Sequence, residues 1–179
     1  LGDKNGSIVV MDTQTGEILA LASCPGFDLN TFNLDYTRLA SDPRKPLLNR
    51  PLQAALPPGS TFKPITALSA LAGGEITPST QFYCGGKLMI GDRIRHCTST
   101  HYQMGLEGAL EHSCNIYFYE VAKRLEGCNL ENEARAFGLG EKTGIDLPFE
   151  SAGLVPVTRS QGERLNLSIG QGELLATPL

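Results

Sequence analysis

The sequence predicts an α+β chain in which a β-hairpin precedes a group of helices. Two observations point to this fold class. A paired β-rich stretch occupies Ser7 to Ser23, and patterns typical of helices recur from Ser60 to Ala72 and from Leu106 to Phe137. We therefore expect a helical portion of the molecule joined to a small antiparallel sheet.

Composition and charge narrow the range of possible functions. The chain has 179 residues, 41% of them hydrophobic, and a net charge of −4, which is enough for one domain with a sizeable core. No basic stripe is present, so we do not expect nucleic acid as a partner. No apolar run approaches the roughly 18 residues that a membrane span needs.

Two short apolar runs separated by turn residues predict the hairpin. Ser7 to Asp12 is rich in β-branched side chains, Thr13 to Gly16 has turn chemistry, and Glu17 to Ser23 is the second apolar run. Neither run alternates cleanly between apolar and polar residues. We therefore expect both faces of the hairpin to be covered, as in the centre of a layered domain.

Proline and glycine punctuate the stretch from Cys24 to Pro58, which we expect to be a long loop with a functional surface. A helix is expected from Ser60 to Ala72, ending at Gly73-Gly74. Cys84 to His101 and the tail after Gly140 are expected to be irregular. Further helices are expected over three stretches: Leu106 to His112, Asn115 to Glu126 with its end at Gly127, and Leu130 to Phe137 with its end at Gly138.

A candidate nucleophile stands at the start of the first helix. Ser60 and Lys63 form the pattern S-x-x-K after Pro57-Pro58-Gly59. Residues three apart share a helix face, so the lysine amine can meet the serine hydroxyl. The helix N-terminus favours an oxyanion, and burial lowers the pKa of a lysine, which then acts as a general base. Alone, the tetrapeptide is weak evidence, because a serine N-cap followed by a solvated lysine accounts for it more readily.

A second candidate element lies between two predicted helices. Ser113-Cys114-Asn115 supplies a hydroxyl that can pass a proton and an amide that can hold the lysine or a substrate amide. On its own, Ser113 could simply cap a helix. The order S-x-x-K then S-x-N is the one found in serine penicillin-recognising enzymes.

Beyond these two elements the chain resembles class B penicillin-binding proteins, the elongation-type enzymes in particular. The stretches that carry the resemblance include IVVMDTQTGEILALAS from Ile8, NRPLQAALPPGSTFK from Asn49, SCNIYFY from Ser113, FGLGEKTGIDLP from Phe137 and SIGQGELLATP from Ser168. The resemblance implies a serine β-lactamase/transpeptidase-like fold. This chain would hold a helical subdomain and the first hairpin of an incomplete antiparallel sheet. Residues 1–179 would thus be a partial transpeptidase domain, inactive by itself.

The function implied by the resemblance is a peptidoglycan D,D-transpeptidase. Ser60 would attack a D-Ala-D-Ala stem peptide, and β-lactams would acylate the same residue. Lys63 would be the base, Ser113 the proton relay and Asn115 the positioning residue. The Ser60 N–H would donate one oxyanion hydrogen bond. A β-lactamase, a β-lactam-sensing receptor domain and an inactive structural piece are the alternatives.

The third motif of that family is K-T-G on a strand beside the nucleophile. This chain contains Lys142-Thr143-Gly144, in a glycine-rich segment that leads to Pro148 and lacks an apolar strand pattern. A match to three residues often arises by chance, so we expect a loop there. The working motif, with the second oxyanion donor, would follow residue 179.

Cysteine and histidine cluster in the segment expected to be irregular. Cys84, Cys97, His101 and Cys114 have the spacing C-x12-C-x3-H-x12-C, which is weak evidence for zinc alone. Metal binding could order a segment with little apolar content. The elongation-type enzymes that the chain resembles carry zinc at corresponding positions, which implies a closed, structural site. A Cys84–Cys97 disulfide, inert buried thiols, and His96 or His112 as the nitrogen ligand remain alternatives.

The resemblance also implies partners and a location. Peptidoglycan stem peptides and β-lactam antibiotics would occupy the site, and a glycosyltransferase of the elongation machinery would be the protein partner. The enzyme would work on the periplasmic face of the bacterial inner membrane, held by an anchoring segment that this chain lacks.

Overall fold

The computed structural model describes residues 4–125 and 129–179. The chain divides into two compact units. The hairpin unit comprises Leu1–Leu56, Glu141–Gly153 and Ala176–Leu179, and the helical unit comprises Pro57–Gly140 and Leu154–Leu175. Within the described residues, no helix is both long and apolar enough to cross a membrane.

The predicted hairpin is present in the hairpin unit. Strand β1 (Gly6–Met11) pairs antiparallel with β2 (Ile18–Cys24), with a register irregularity between Val10 and Met11. The expectation that both faces are covered is wrong for this chain, because Ile8 is 47% and Leu19 64% exposed. In the described residues the sheet holds only these two strands, so no third strand shields their apolar side chains.

The stretch expected to be a long loop contains two helices, α1 (Phe32–Ser41) and α2 (Arg50–Gln53). Thr31 precedes α1, and its hydroxyl donates to the Asp35 carboxylate at 2.7 Å. Helix α2 has proline in its first turn, where a missing N–H costs nothing. The sequence analysis missed both helices because the prolines around them favoured a loop. Proline is also common at the start of a helix.

The first predicted helix of the helical unit is confirmed. A 3₁₀ turn at Gly59–Phe62 leads directly into α3 (Lys63–Gly73), and Gly74 ends α3 with φ of 78°. Pro64 is tolerated because it lies in the first turn of α3.

Three later helices match the predicted positions. They are α4 (Leu106–Glu111), α5 (Asn115–Ala122) and α6 (Asn129–Ala136). The expected extension of α5 to Glu126 is wrong, because the helix ends at Ala122 and Lys123 to Leu125 are described as non-helical. Glu126 and Gly127 themselves lie outside the described part of the chain.

The segment from Cys84 to His101 is not irregular, and this expectation is corrected. It lies within two nested antiparallel pairs: β3 (Gln81–Cys84) with β6 (Tyr102–Gly105), and β4 (Lys87–Ile90) with β5 (Arg93–His96). Strands of four residues give almost no periodic signal. The nesting brings the end of β3, the residue after β5 and the residue before β6 to one place.

The tail after Gly140 contains a helix that the sequence analysis missed, α7 (Gln161–Ser168). Ser160 and Glu163 form a capping box at its start, each bonding the other's backbone N–H. The pattern S-x-x-E is a known helix-start signal, so the sequence did carry evidence for α7.

Helix α5 lies at the centre of the helical unit. It packs against α3, α7 and β3. Tyr117, Phe118 and Val121 on α5 are fully buried, and the Phe82 ring meets the Tyr117 ring edge-on. The rigidity of α5 matters because its first residue, Asn115, is one of the predicted site residues.

Candidate active site

Ser60 lies at the exposed surface of the helical unit, in the first turn before α3. Gly59, which precedes it, has φ of 61° and donates its N–H to the Gly170 carbonyl at 2.8 Å. A positive φ suits glycine because it has no Cβ. The sharp turn leaves the Ser60 hydroxyl open to solvent and places its N–H in the first turn of a helix, where such groups have no helical partner.

Lys63 is buried, with 1% of its surface exposed. Its Nζ donates to the Ser113 carbonyl at 2.6 Å, the Ser113 hydroxyl at 2.9 Å and the Asn115 Oδ1 at 2.8 Å. Burial lowers the pKa of the Lys63 amine, and the charges of Cys97 and Cys114 oppose that effect. The amine therefore loses its proton more readily than a solvated lysine.

Ser113 joins Lys63 to Ser60, the candidate nucleophile. Its hydroxyl donates to Ser60 Oγ at 2.8 Å while accepting from Lys63 Nζ. Its φ of 52° is unusual for a residue with a side chain, and such backbone strain gathers at functional sites. The link from Lys63 to Ser60 thus runs through a second serine, whereas the sequence suggested a direct meeting on one helix face.

Asn115 opens helix α5 and is held from three directions. Its Oδ1 accepts from Lys63, its Nδ2 donates to the His96 carbonyl at 3.4 Å, and its backbone N–H donates to Cys97 Sγ at 3.2 Å. The His96 carbonyl sets the orientation of the amide, because it accepts only from the nitrogen end. All four predicted catalytic residues therefore meet at one place in the helical unit.

Four potential metal ligands also meet in this unit, next to Asn115. Cys84 Sγ, Cys97 Sγ, His101 Nδ1 or Nε2 and Cys114 Sγ all lie within 4.8 Å of one another. Among the candidate nitrogen ligands, only the His101 ring belongs to this described cluster, and the His112 ring stacks on it at 5.9 Å. Of the other two cysteines, Cys24 belongs to the hairpin unit, and Cys128 lies outside the described residues.

The spacing of these atoms fits a tetrahedral zinc. His101 Nδ1 lies 3.6 Å from Cys84 Sγ and 3.5 Å from Cys97 Sγ, and Cys97 Sγ lies 3.8 Å from Cys114 Sγ. A tetrahedron with Zn–S of about 2.3 Å and Zn–N of about 2.0–2.1 Å has edges of roughly 3.8 Å between sulfurs and roughly 3.5 Å between sulfur and nitrogen. Three thiols and one imidazole are also a common structural zinc set.

The pKa values of the Cys97 and Cys114 thiols are shifted in opposite directions. Burial acts to raise the pKa of Cys97, but backbone N–H donors, chiefly of Ile116 and Ser99, lower it to about 6. Burial raises the pKa of Cys114 to about 12. Cys114 is also the N-cap of α5, because its sulfur accepts from the Tyr117 N–H at 3.5 Å.

The tripeptide Lys142-Thr143-Gly144 is a loop, as predicted. It belongs to the hairpin unit and lies in no strand. The Thr143 hydroxyl and N–H both donate to the Glu150 carboxylate, at 2.6 and 2.7 Å. These contacts lower the pKa of Glu150 and stabilise a turn in the loop.

The site residues that sequence reasoning missed are in the 168–172 segment and at His96. Gly170 accepts from Gly59, and the His96 carbonyl orients Asn115. Both act through backbone atoms, which leave no side-chain signature in a sequence. The stretch SIGQG did contribute to the family resemblance, but its role was not apparent.

Comparison with known proteins places this geometry in a family. Residues 6–179 match the family model described as penicillin binding protein transpeptidase domain. The peptidoglycan D,D-transpeptidase MrdA of Acinetobacter baumannii is 39% identical over the whole chain, which covers 30% of that protein. The chain therefore spans about a third of the length of the curated relatives it matches.

Solved structures agree with the fold. The penicillin-binding protein PBP2 of Helicobacter pylori, in complex with MreC, superposes with a TM-score of 0.93 at 34% identity, covering 98% of this chain and 36% of that one. A chain from a peptidoglycan synthase complex, described as coordinating polymerization and crosslinking, has a TM-score of 0.89 at 37% identity, covering 97% of this chain and 33% of that one. The predicted fold class is confirmed, and the chain belongs to the penicillin-binding protein transpeptidase domain family, with its similarity lying toward the MrdA, or PBP2, type.

Proposed function

We propose that this chain carries the nucleophile and the general base of an acyl-serine peptidoglycan D,D-transpeptidase. The observation that supports this most is the hydrogen-bonded series Lys63–Ser113–Ser60, which ends in an exposed hydroxyl. A solvated lysine and a capping serine would not produce it. The relatives are named as transpeptidases, and their activity belongs to proteins about three times as long.

Acylation uses all three residues of this hydrogen-bonded series. When the Lys63 amine is neutral, its lone pair can accept, and both hydrogen bonds of the series reverse direction. The Ser60 proton then passes to Ser113 Oγ while the Ser113 proton passes to Lys63 Nζ. Ser60 Oγ forms a bond to the carbonyl carbon between the two D-alanines. Collapse of the tetrahedral intermediate breaks the C–N bond, and the leaving D-alanine amine takes the proton back by the same route. The product is an ester at Ser60.

Asn115 positions groups in this scheme and does not transfer a proton. Its Oδ1 holds the Lys63 amine on the side of Ser113. The Ser60 N–H supplies one oxyanion donor, and a donor of this kind contributes about 10²–10³ in rate. The second donor would come from a strand carrying the K-T-G motif, as the family pattern implies.

The amine of a second stem peptide resolves the ester and forms the cross-link. A β-lactam acylates Ser60 in the same way, but its leaving group stays attached and the ester persists. Measuring the lifetime of the penicilloyl ester on the full-length enzyme distinguishes the alternatives. A lifetime of many minutes with cross-linking of stem peptides is expected. Rapid hydrolysis would identify a β-lactamase, and a stable ester without any stem-peptide turnover would identify a sensor.

The loop Lys142-Thr143-Gly144 takes no part in this chemistry, and this leads to a prediction. Lys142→Ala is expected to leave the rate of penicillin acylation of the full-length enzyme within about twofold of wild type, because an exposed loop lysine adds nothing to the transition state. Stopped-flow acylation with a fluorescent penicillin measures this. A loss of tenfold or more would show that this tripeptide is the working third motif.

We further propose that Cys84, Cys97, His101 and Cys114 hold a structural zinc ion. The match of their spacing to a tetrahedron supports this, and so does the resemblance to enzymes that carry zinc. Four protein ligands leave no open position, so the ion would brace the nested strands and the start of α5. It takes no part in the acyl transfer.

Removing one ligand tests the zinc proposal. Full-length enzyme purified without chelator or added metal is expected to hold about one zinc, with Zn–S distances of about 2.3 Å in X-ray absorption spectra. Cys97→Ser should lower the zinc content several-fold and slow acylation, because Cys97 Sγ also accepts the Asn115 N–H. Cys24→Ser is the matched control and should retain full zinc. Folded, metal-free wild type with Cys84 bonded to Cys97 would refute the site.

The proposed setting is the periplasmic face of the bacterial inner membrane, with a glycosyltransferase of the elongation machinery as partner. The support is the family resemblance and the likeness to a chain from a peptidoglycan synthase complex described as coordinating polymerization and crosslinking. Peptidoglycan stem peptides and β-lactam antibiotics are the proposed ligands of Ser60.

A further inference from the structure

The 168–172 segment (Ser168-Ile169-Gly170-Gln171-Gly172) touches the backbone immediately before the nucleophile. Gly170 accepts the Gly59 N–H at 2.8 Å and has φ of 67°. A Cβ at Gly170 would lie 2.1 Å from the Gly59 carbonyl oxygen and 2.8 Å from its carbonyl carbon. No relaxation of a flexible side chain could relieve this overlap, because the atoms in the way are backbone.

Buried and helical contacts hold the segment in place. The buried hydroxyl of Thr66, on α3, donates to the Ser168 carbonyl at 2.8 Å. The Gln171 N–H donates to the Asn166 carbonyl at 2.9 Å, and the Asn166 side chain accepts from Arg95 at 2.9 Å. These hydrogen bonds fix the position of the 168–172 segment, and the Gly59 backbone packs against it.

The contact fixes a peptide plane that matters for the proposed chemistry. The Gly59 carbonyl and the Ser60 N–H belong to one planar, trans peptide, so they point in opposite directions. Whatever holds the Gly59 oxygen in place also aims the Ser60 N–H. Moving that oxygen from 2.1 Å to ordinary contact with a Cβ requires a shift of roughly 1 Å, because close packing tolerates little overlap.

We propose that Gly170 is a positioning residue that aims the Ser60 N–H at the developing oxyanion. The inference rests on the proposed function, since it assigns a part to an atom of that site. Gly170 reaches the reaction only through the Gly59–Ser60 peptide. The proton path is made of other contacts, the hydrogen bonds among Lys63, Ser113 and Ser60, and should be left intact.

Two glycines that share a backbone conformation provide the test. In full-length enzyme, Gly170→Ala is expected to lower the penicillin acylation rate constant by roughly 10²–10³, the effect of losing one oxyanion donor. The preceding non-covalent binding constant and the pH midpoint should not change. Gly74→Ala is the matched control, because Gly74 has φ of 78° but a Cβ there would meet nothing within 4 Å. It carries the backbone strain without the overlap.

The acyl-enzyme supplies a readout that loss of stability would not move. Hydrogen bonding in an oxyanion hole polarises the ester carbonyl and lowers its infrared stretching frequency. The frequency should rise in Gly170→Ala and stay at the wild-type value in Gly74→Ala. Equal frequencies in the two variants, or equal acylation rates per folded molecule, would overturn the assignment.

A less disruptive substitution tests the same proposal if Gly170→Ala does not fold. Thr66→Val keeps the side-chain shape but removes the hydroxyl that anchors Ser168. It should raise the infrared stretching frequency of the ester carbonyl, as Gly170→Ala does. The acylation rate constant should fall by about tenfold, which is part of the contribution of one oxyanion donor. An unchanged frequency would overturn the proposal. Failure of the proposed function would look different, because the wild type itself would then form no ester at Ser60.

Discussion

Replacing Ser60 by alanine is expected to abolish covalent labelling of the full-length enzyme by a fluorescent penicillin. The exposed Ser60 hydroxyl ends the hydrogen-bonded path from the buried Lys63 amine through Ser113. Without an oxygen at this position no ester can form, so the loss should be complete. The free energy of unfolding should change by less than about 0.5 kcal/mol, because surface substitutions usually stay within that range.

Thr61→Ala is the matched control for this experiment. Thr61 carries a neighbouring exposed hydroxyl, which donates to the Pro58 carbonyl at 2.9 Å, and its removal should leave labelling in place. Peptide mass mapping of the labelled wild type should locate the adduct on Ser60. An adduct mapped to any other side chain would mean that the nucleophile has been misassigned.

Replacing Lys63 by methionine is expected to lower the penicillin acylation rate by about 10²–10⁴, the usual contribution of a general base. In the wild type the rate should rise with pH as the Lys63 amine loses its proton, and burial places that rise below the ordinary pKa of lysine. The methionine variant should lose this inflection. Stopped-flow acylation across the pH range measures both effects.

The same titration should be visible in stability. A lysine pKa lowered by folding means that the unfolded chain binds more protons between the folded and the unfolded pKa. The free energy of unfolding should therefore rise with pH across that interval and fall as pH drops through it. Lys63→Met should remove this dependence. Lys123→Met, at a half-exposed lysine paired with Glu120, should change neither the rate nor the pH dependence.

Most of the candidate site residues could be predicted because they lie in short sequence patterns that occur in a fixed order. S-x-x-K at Ser60 and S-x-N at Ser113 each have a local structural meaning, and the family resemblance supplied their pairing. Helices α3 and α6 were predicted for the same local reason, since a helical pattern and a terminal glycine are visible in sequence. The catalytic roles remain predictions.

The features of the fold and the site that were not predicted depend on contacts between residues distant in sequence, which a local sequence pattern does not contain. The nested strands from Gln81 to Gly105 are each too short for a periodic signal, and their pairing partners are not adjacent in sequence. The strained φ of Ser113 depends on the packing around it. The approach of Gly170 to Gly59 joins residues more than a hundred positions apart, so only the folded chain reveals why a glycine stands there.

If the proposed function holds, Cys114 constrains how the protein could change under antibiotic selection. The residue lies between Ser113 and Asn115, is fully buried, caps α5 through its sulfur and belongs to the four-ligand cluster. Any substitution there that reshaped the surroundings of Ser60 would also disturb a helix start and a proposed metal ligand. We therefore expect resistance mutations to avoid this position and to accumulate in residues that carry a single role.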